Sequence, residues 1–234
     1  MYDILYVIGD SYTTPDCCVQ VDDSYWKKFG QFIQADTIVN HSHPGKCNQS
    51  MFRNAMRFCL DNSDKKIFVL VGLTTIFRLD YQDTSFENIK NKNNGNEAEI
   101  FIHNLELQNA SHEELDKWFI EKWTYEHTFC NLVNAIIAHS SFFKSRNIDY
   151  LIHNCSSPLH EDIDSPFLKS FCLELGKDYK IPNLFGNTYL SLNKDRGIKP
   201  VDFQQYGWNG HHGKEGNQVY FEYLKQIYNQ EYLT

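Results

Sequence analysis

Residues 1–11 read MYDILYVIGDS, an apolar run from Ile4 to Ile8 that leads straight into Gly9, Asp10 and Ser11. A continuous run of this kind followed by glycine and aspartate predicts a buried strand ending in a tight turn, with a hydroxyl on the turn. Ligands of open α/β sheets bind along the carboxyl edge of the strands, so Ser11 stands where chemistry is expected.

The rest of the chain repeats the pattern. Trp26, Phe29 and Ile33 fall at helical spacing, which predicts a first helix over Tyr25–Phe32. Thr37, Ile38 and Val39 form a short β-branched run ending at Asn40, and the following HSHPGKCN contains Pro44 and Gly45, a second sheet-edge turn. A helix from about Gln49 to Leu60 carries Met51, Ala55 and Cys59 on one face, with Arg53 and Arg57 off it. Ile67–Val71 (IFVLV) has the unbroken apolar character of a parallel strand covered on both faces, and ends at Gly72, Leu73, Thr74 and Thr75. Composition then shifts to Asn, Lys and Glu over about 80–110, a long polar excursion of the kind that forms lids or binding loops.

Ser111 and Glu114 have capping-box spacing and open a long helix, or helix pair, to about Phe143. Ile148–Ile152 is the next strand; Ser165 and Pro166 begin a helix through Leu175, and Ile181–Phe185 reads as a last short strand. After a loop rich in Gly, Asn and Lys, GHHGKEGN leads into a terminal helix with Val219, Tyr223 and Ile227 on one face. Alternating strands and helices predict an α/β fold of three layers, a central parallel sheet of about five strands between helices, in one domain over 1–234.

Composition narrows the function. Hydrophobic residues make up 41% and aromatic residues 15% of the 234, enough for a packed core. A formal charge of −8 gives no basic stripe, so neither nucleic acid nor an anionic membrane surface is an expected partner, and a neutral substrate fits better. No export signal or membrane-spanning run is read, which predicts a soluble chain. The seven cysteines include no C-x-x-C pair, and are read as reduced thiols, mostly in the core. His41 and His43 have no carboxylate or cysteine spacing in support, so they are read as loop histidines, with no metal and no cofactor.

The candidate polar groups lie at three sheet-edge turns and one carboxy-terminal loop: Ser11; Gly45 and Asn48; Thr74; His211 and His212. Ester hydrolysis by serine needs a base for the hydroxyl proton and donors aimed at the oxyanion, and both types of group are present.

With these residues the sequence resembles the SGNH, or GDSL-type, hydrolases, a family of esterases and lipases with a flavodoxin-like fold. Gly9-Asp10-Ser11 matches the family's first block, Gly45 with Asn48 its second, and His211 with Gly216 the histidine and glycine of its fifth. The resemblance implies Ser11 as nucleophile, the N–H groups of Ser11 and Gly45 as oxyanion donors, and His211, rather than His212, as base. Two departures stand out. The third block, normally Gly-x-Asn-Asp, reads Gly72-Leu73-Thr74-Thr75, so the Thr74 hydroxyl is the one side-chain oxyanion donor the resemblance leaves in place of the usual asparagine. The aspartate three residues before the histidine is replaced by Trp208 (counting from His211) or Asn209 (from His212), and the nearest upstream acid is Asp202.

Asp10, Asn48, Arg78, Asp202, Asn209 and His212 complete the implied site as supporting residues, with Asn48 either donating to substrate or fixing its loop, Arg78 either a substrate clamp or a surface or ion-paired arginine, and Trp208 lining the pocket. The strings GKCN, GLTTIFR (with Arg78) and HHGKEGN look most like members encoded by tailed bacteriophages. The expected activity is removal of small acyl groups, O-acetyl foremost, from a carbohydrate or similar small acylated molecule, with other virion proteins as further partners. The alternative is a non-catalytic module that binds a glycan or serves as a virion component; transfer of the acyl group to another hydroxyl uses the same residues.

Overall fold

A computed structural model of the protein describes residues 1–14, 21–43, 46–74, 80–81, 100–101, 125–155, 188–199 and 211–233. The chain runs β1 (Tyr2–Ile8), α1 (Tyr25–Phe32), β2 (Ala35–Asn40), α2 (Asn48–Asp61), β3 (Ile67–Leu73), β4 (Asp80–Tyr81), β5 (Ile100–Phe101), α3 (Tyr125–Ser145), β6 (Asp149–Asn154), α4 (Tyr189–Asp195) and α5 (Lys214–Tyr232). Four strands form one sheet in the order β2-β1-β3-β6, every neighbouring pair parallel. The α/β architecture read from the alternation is therefore present, with four of the expected strands among the described residues.

Side-chain alternation explains why the sheet is buried on both faces. On β1, Tyr6 and Ile8 enter one core with Met51, Ala55 and Cys59 of α2 and Phe129, Leu132 and Ile136 of α3. Leu5 and Val7 enter the other, with Tyr25, Trp26 and Phe29 of α1 and Tyr220, Leu224 and Ile227 of α5. All seven residues of β3 are buried, as its continuous apolar run predicts for a central strand. By contrast β2, at the edge, is nowhere fully buried.

Several elements differ from the expectation. The buried stripe of α5 is Tyr220, Leu224, Ile227 and Tyr228, so Val219 and Tyr223 flank the core instead of filling it. Gly216 and Asn217, in the first turn of this helix, are buried on the same side. Helix α4, where a plain loop is predicted, is started by Thr188, whose side chain accepts a bond from Ser191 N. Within the polar excursion, β4 and β5 form a short antiparallel pair. The capping box at Ser111, the helix from Ser165 and the strand Ile181–Phe185 lie outside the described residues.

Four described cysteines are free thiols, with Cys47, Cys59 and Cys155 buried and Cys130 exposed. Among the described residues no helix is long and apolar enough to cross a membrane.

Candidate active site

Parallel pairing brings the carboxyl ends of β1, β3 and β6 side by side, with Ile8 opposite Val71 and Gly72 and Leu73 opposite His153 and Asn154. The turn after β1 is wound around Asp10. Its carbonyl accepts from Thr13 N and Thr14 N, each at 3.0 Å, and its Oδ1 accepts from Tyr12 N at 3.0 Å. Asn40 Nδ2, at the end of β2, donates to Thr13 O at 2.9 Å, and His43 N donates to Gly9 O at 3.1 Å. Gly9 is required here, because a Cβ at that position would run into the Thr13 side chain.

This winding satisfies the neighbours and leaves the serine. Ser11 is 6% exposed, and neither its N–H nor its Oγ hydrogen-bonds any described residue.

Across from it, Thr74 leaves β3 held from two sides. Thr74 N donates to Asn48 Oδ1 at 2.9 Å, and Asn48 Nδ2 donates back to Thr74 O at 3.1 Å. The Thr74 hydroxyl donates to Asp10 Oδ2 at 2.7 Å. Asn48 therefore fixes its loop to the end of β3. The Thr74 hydroxyl is turned to Asp10, and both donors of Thr74 are committed. All three residues are buried, so these bonds form out of competition with water.

The two histidines before α5 diverge. His211 stacks on Tyr12, the residue after Ser11, with ring centroids 4.6 Å apart and planes 29° apart. His212 turns into the seam between α4 and α5, where its ring packs edge-on to Tyr189 at 5.5 Å. Its carbonyl accepts from Tyr189 OH at 3.1 Å and from Asn217 Nδ2 at 3.1 Å. Gly216 makes this possible, since a Cβ there would collide with His212 Cβ. The glycine five residues after His211 thus serves the neighbouring histidine.

Burial lowers the His211 pKa to about 4, and the neighbouring His212 pushes the same way. His212 is lowered by burial too, against a hydrogen bond with the backbone of Ile198 that raises it. Both rings are neutral at neutral pH. A neutral imidazole against the Ser11 turn has the protonation state a general base needs.

Beneath the turn lies a buried polar network that sequence reasoning missed. Thr13 Oγ1 is 2.8 Å from Tyr25 OH, and Cys155 Sγ lies 3.7 Å from the former and 3.6 Å from the latter. Tyr220 OH donates to Asn154 O at 3.0 Å and lies 2.9 Å from His153 Nδ1. Since the tyrosine proton goes to Asn154, His153 Nδ1 carries a proton and donates, and full burial holds this histidine down to about 3. Gly72 lets the network close, because a Cβ there would sit 2.7 Å from Thr13 Oγ1 and 2.9 Å from Cys155 Sγ. The signal in the sequence was the polar His153-Asn154-Cys155 at the end of an apolar strand.

Gly45, Arg78, Asp202, Trp208 and Asn209 lie outside the described residues. Among the described residues no three His, Cys, Asp or Glu side chains are grouped to hold a metal ion.

No family model matches the chain, and no curated protein matches it in sequence. Solved structures do match in fold. The psychrotrophic esterase EstA from Pseudoalteromonas sp., crystallised inhibited by monoethylphosphonate, superposes with a TM-score of 0.52 at 10% identity, over 97% of each chain. TesA superposes with a TM-score of 0.51 at 10% identity, over 97% of this chain and 98% of its own. A G-D-S-L family lipolytic protein from Desulfitobacterium hafniense has a TM-score of 0.49 at 15% identity, over 96% of this chain and 99% of its own. At these identities EstA and TesA establish the shared fold, an α/β fold with a parallel sheet flanked by helices.

Proposed function

We propose that this chain is a serine esterase that removes small acyl groups, O-acetyl foremost, from a carbohydrate. The observation that carries the reading is the turn at Ser11: a strand-end serine whose N–H and Oγ hydrogen-bond no described residue, and a neutral His211 stacked on the next residue. The fold shared with the esterase EstA supports it.

His211 takes the proton from Ser11 Oγ as that oxygen bonds to the ester carbonyl carbon, and the carbonyl π pair moves to oxygen. The N–H groups of Ser11 and Gly45 hold the oxyanion. On collapse the alkoxide leaves with the proton from His211, giving the acyl-enzyme; water, deprotonated by the same histidine, then releases the acid. Asp202 or a backbone carbonyl orients the base, with Asn209 in support, and Arg78 contacts the substrate. The 80–110 excursion and Trp208 form walls of the pocket. No metal or organic cofactor enters the reaction. With both Thr74 donors committed, Thr74 supplies no side-chain donor to the oxyanion, and losing such a donor costs on the order of 10²–10³ in rate in a well-studied protease. A slow enzyme is the expectation.

The likeness of GKCN, GLTTIFR and HHGKEGN to phage-encoded sequences extends the reading to an acylated surface glycan of a bacterial host and a place in the virion. The second reading is a non-catalytic module that binds such a glycan or a neighbouring virion protein, and the engagement of Thr74 with Asp10 favours it.

A fluorophosphonate decides between them without a known substrate. A single mass adduct mapped to Ser11, lost in Ser11→Ala and His211→Ala and kept in His212→Ala, supports the esterase. A folded protein that takes up no adduct supports the binding module.

A further inference from the structure

We propose that Tyr12 is a positioning residue for the base, holding the His211 imidazole by its ring face and stabilising the positive charge that the ring acquires from Ser11. The rings are offset from parallel by 29° at 4.6 Å between centroids, face to face. Tyr12 is fixed for this task from two sides: its N–H is bonded to Asp10 Oδ1 at 3.0 Å, and its ring leans on Tyr189 at 5.7 Å. An aromatic face carries negative charge density, so it attracts an imidazolium more strongly than a neutral imidazole. That difference helps only when His211 is protonated, which in the reaction is from attack on the carbonyl to departure of the alcohol, and again from attack of water to departure of the Ser11 oxygen.

Several described groups stand around His211. His212, beside it in the chain, disfavours its charge. The Ser11 turn presents Tyr12 itself and the Asp10 carboxylate, which is bonded to Tyr12 N and the Thr74 hydroxyl. From α4, Tyr189 stands behind Tyr12. Burial and His212 act against the charged ring, and the tyrosine face acts for it.

The use of that charge rests on the esterase reading; the hold on His211 does not, and the test separates them. Histidine ring resonances of the full chain are followed by NMR from pH 8 downward in the wild type, Tyr12→Phe and Tyr12→Leu, with His211 assigned by its loss in His211→Gln. Tyr12→Phe keeps the His211 midpoint within about 0.3 pH units, and Tyr12→Leu moves it down by about one unit. An unchanged midpoint in Tyr12→Leu overturns the proposal, as does a fall of the same size in Tyr12→Phe, which assigns the effect to the hydroxyl. If Tyr12→Leu fails to fold or unfolds before the ring titrates, Tyr12→Met replaces it. The ring protons of His211 at pH 7 then decide, shifted upfield in the wild type and Tyr12→Phe and not in Tyr12→Met. With p-nitrophenyl acetate as probe ester, Tyr12→Leu lowers kcat about ten-fold at unchanged KM, and Tyr12→Phe restores it. A wild type inert to this ester and to fluorophosphonate brings down the esterase reading, while the titration still decides the role of Tyr12.

Discussion

Thr74 gives its hydroxyl proton to Asp10 Oδ2, 2.7 Å away, across the gap between the ends of β3 and β1. With the reciprocal Asn48 pair on its backbone, this bond ties three sheet-edge segments into one frame around the Ser11 turn. The frame is what Thr74 contributes.

Thr74→Val keeps the shape and removes the donor, so a buried carboxylate oxygen loses a partner. Such a loss costs about 1–3 kcal/mol, or more for a charged group. The expected result is a lower urea midpoint at unchanged m-value, and a midpoint equal to the wild type would show that the Asp10 bond contributes nothing to stability.

Ser11→Ala behaves oppositely. Because Ser11 hydrogen-bonds no described residue, its stability is expected to stay within about 0.5 kcal/mol of the wild type, while fluorophosphonate labelling disappears. Asn48→Ala, which strands both Thr74 backbone groups, is expected to lose about 1–3 kcal/mol for each. Thermal unfolding of the two variants in parallel checks the contrast; a large destabilisation in Ser11→Ala would give the hydroxyl a structural role.

Acid is expected to weaken the fold through His153 and His211, lowered to about 3 and about 4 from an ordinary 6.5. Above pH 6.5 neither state binds the proton and stability is full. As pH falls below 6.5 the unfolded chain takes up protons that the native state refuses, and each histidine removes up to about 1.4 kcal/mol per pH unit. The loss ends near pH 4 for His211 and near pH 3 for His153. Urea midpoints at pH 7.5, 6 and 5 measure the slope, and a flat profile would contradict the buried neutral state of both rings. In the esterase reading the acid limb of kcat/KM lies near pH 4 for the same reason.

The parts of this protein legible in its sequence are those written in local pattern. The continuous run of Ile67–Val71 places a central strand because only a strand covered on both faces leaves every residue apolar. Gly9-Asp10-Ser11 places a hydroxyl at the sheet edge because glycine and aspartate end a strand. The stripe of Met51, Ala55 and Cys59 puts α2 on the sheet because those positions share one side of a helix.

What tertiary structure decided was the choice among equivalent local options. His211 and His212 are adjacent and chemically identical, and only the arrival of Tyr12 on one side and Tyr189 on the other separates them. The rotation of α5 was open between two apolar stripes one residue apart, and packing buried the one on the side of Gly216 and Asn217. A threonine hydroxyl points wherever the nearest acceptor lies. For Thr74 that acceptor is Asp10, 64 residues away in the chain and a neighbour only because β1 and β3 pair in parallel.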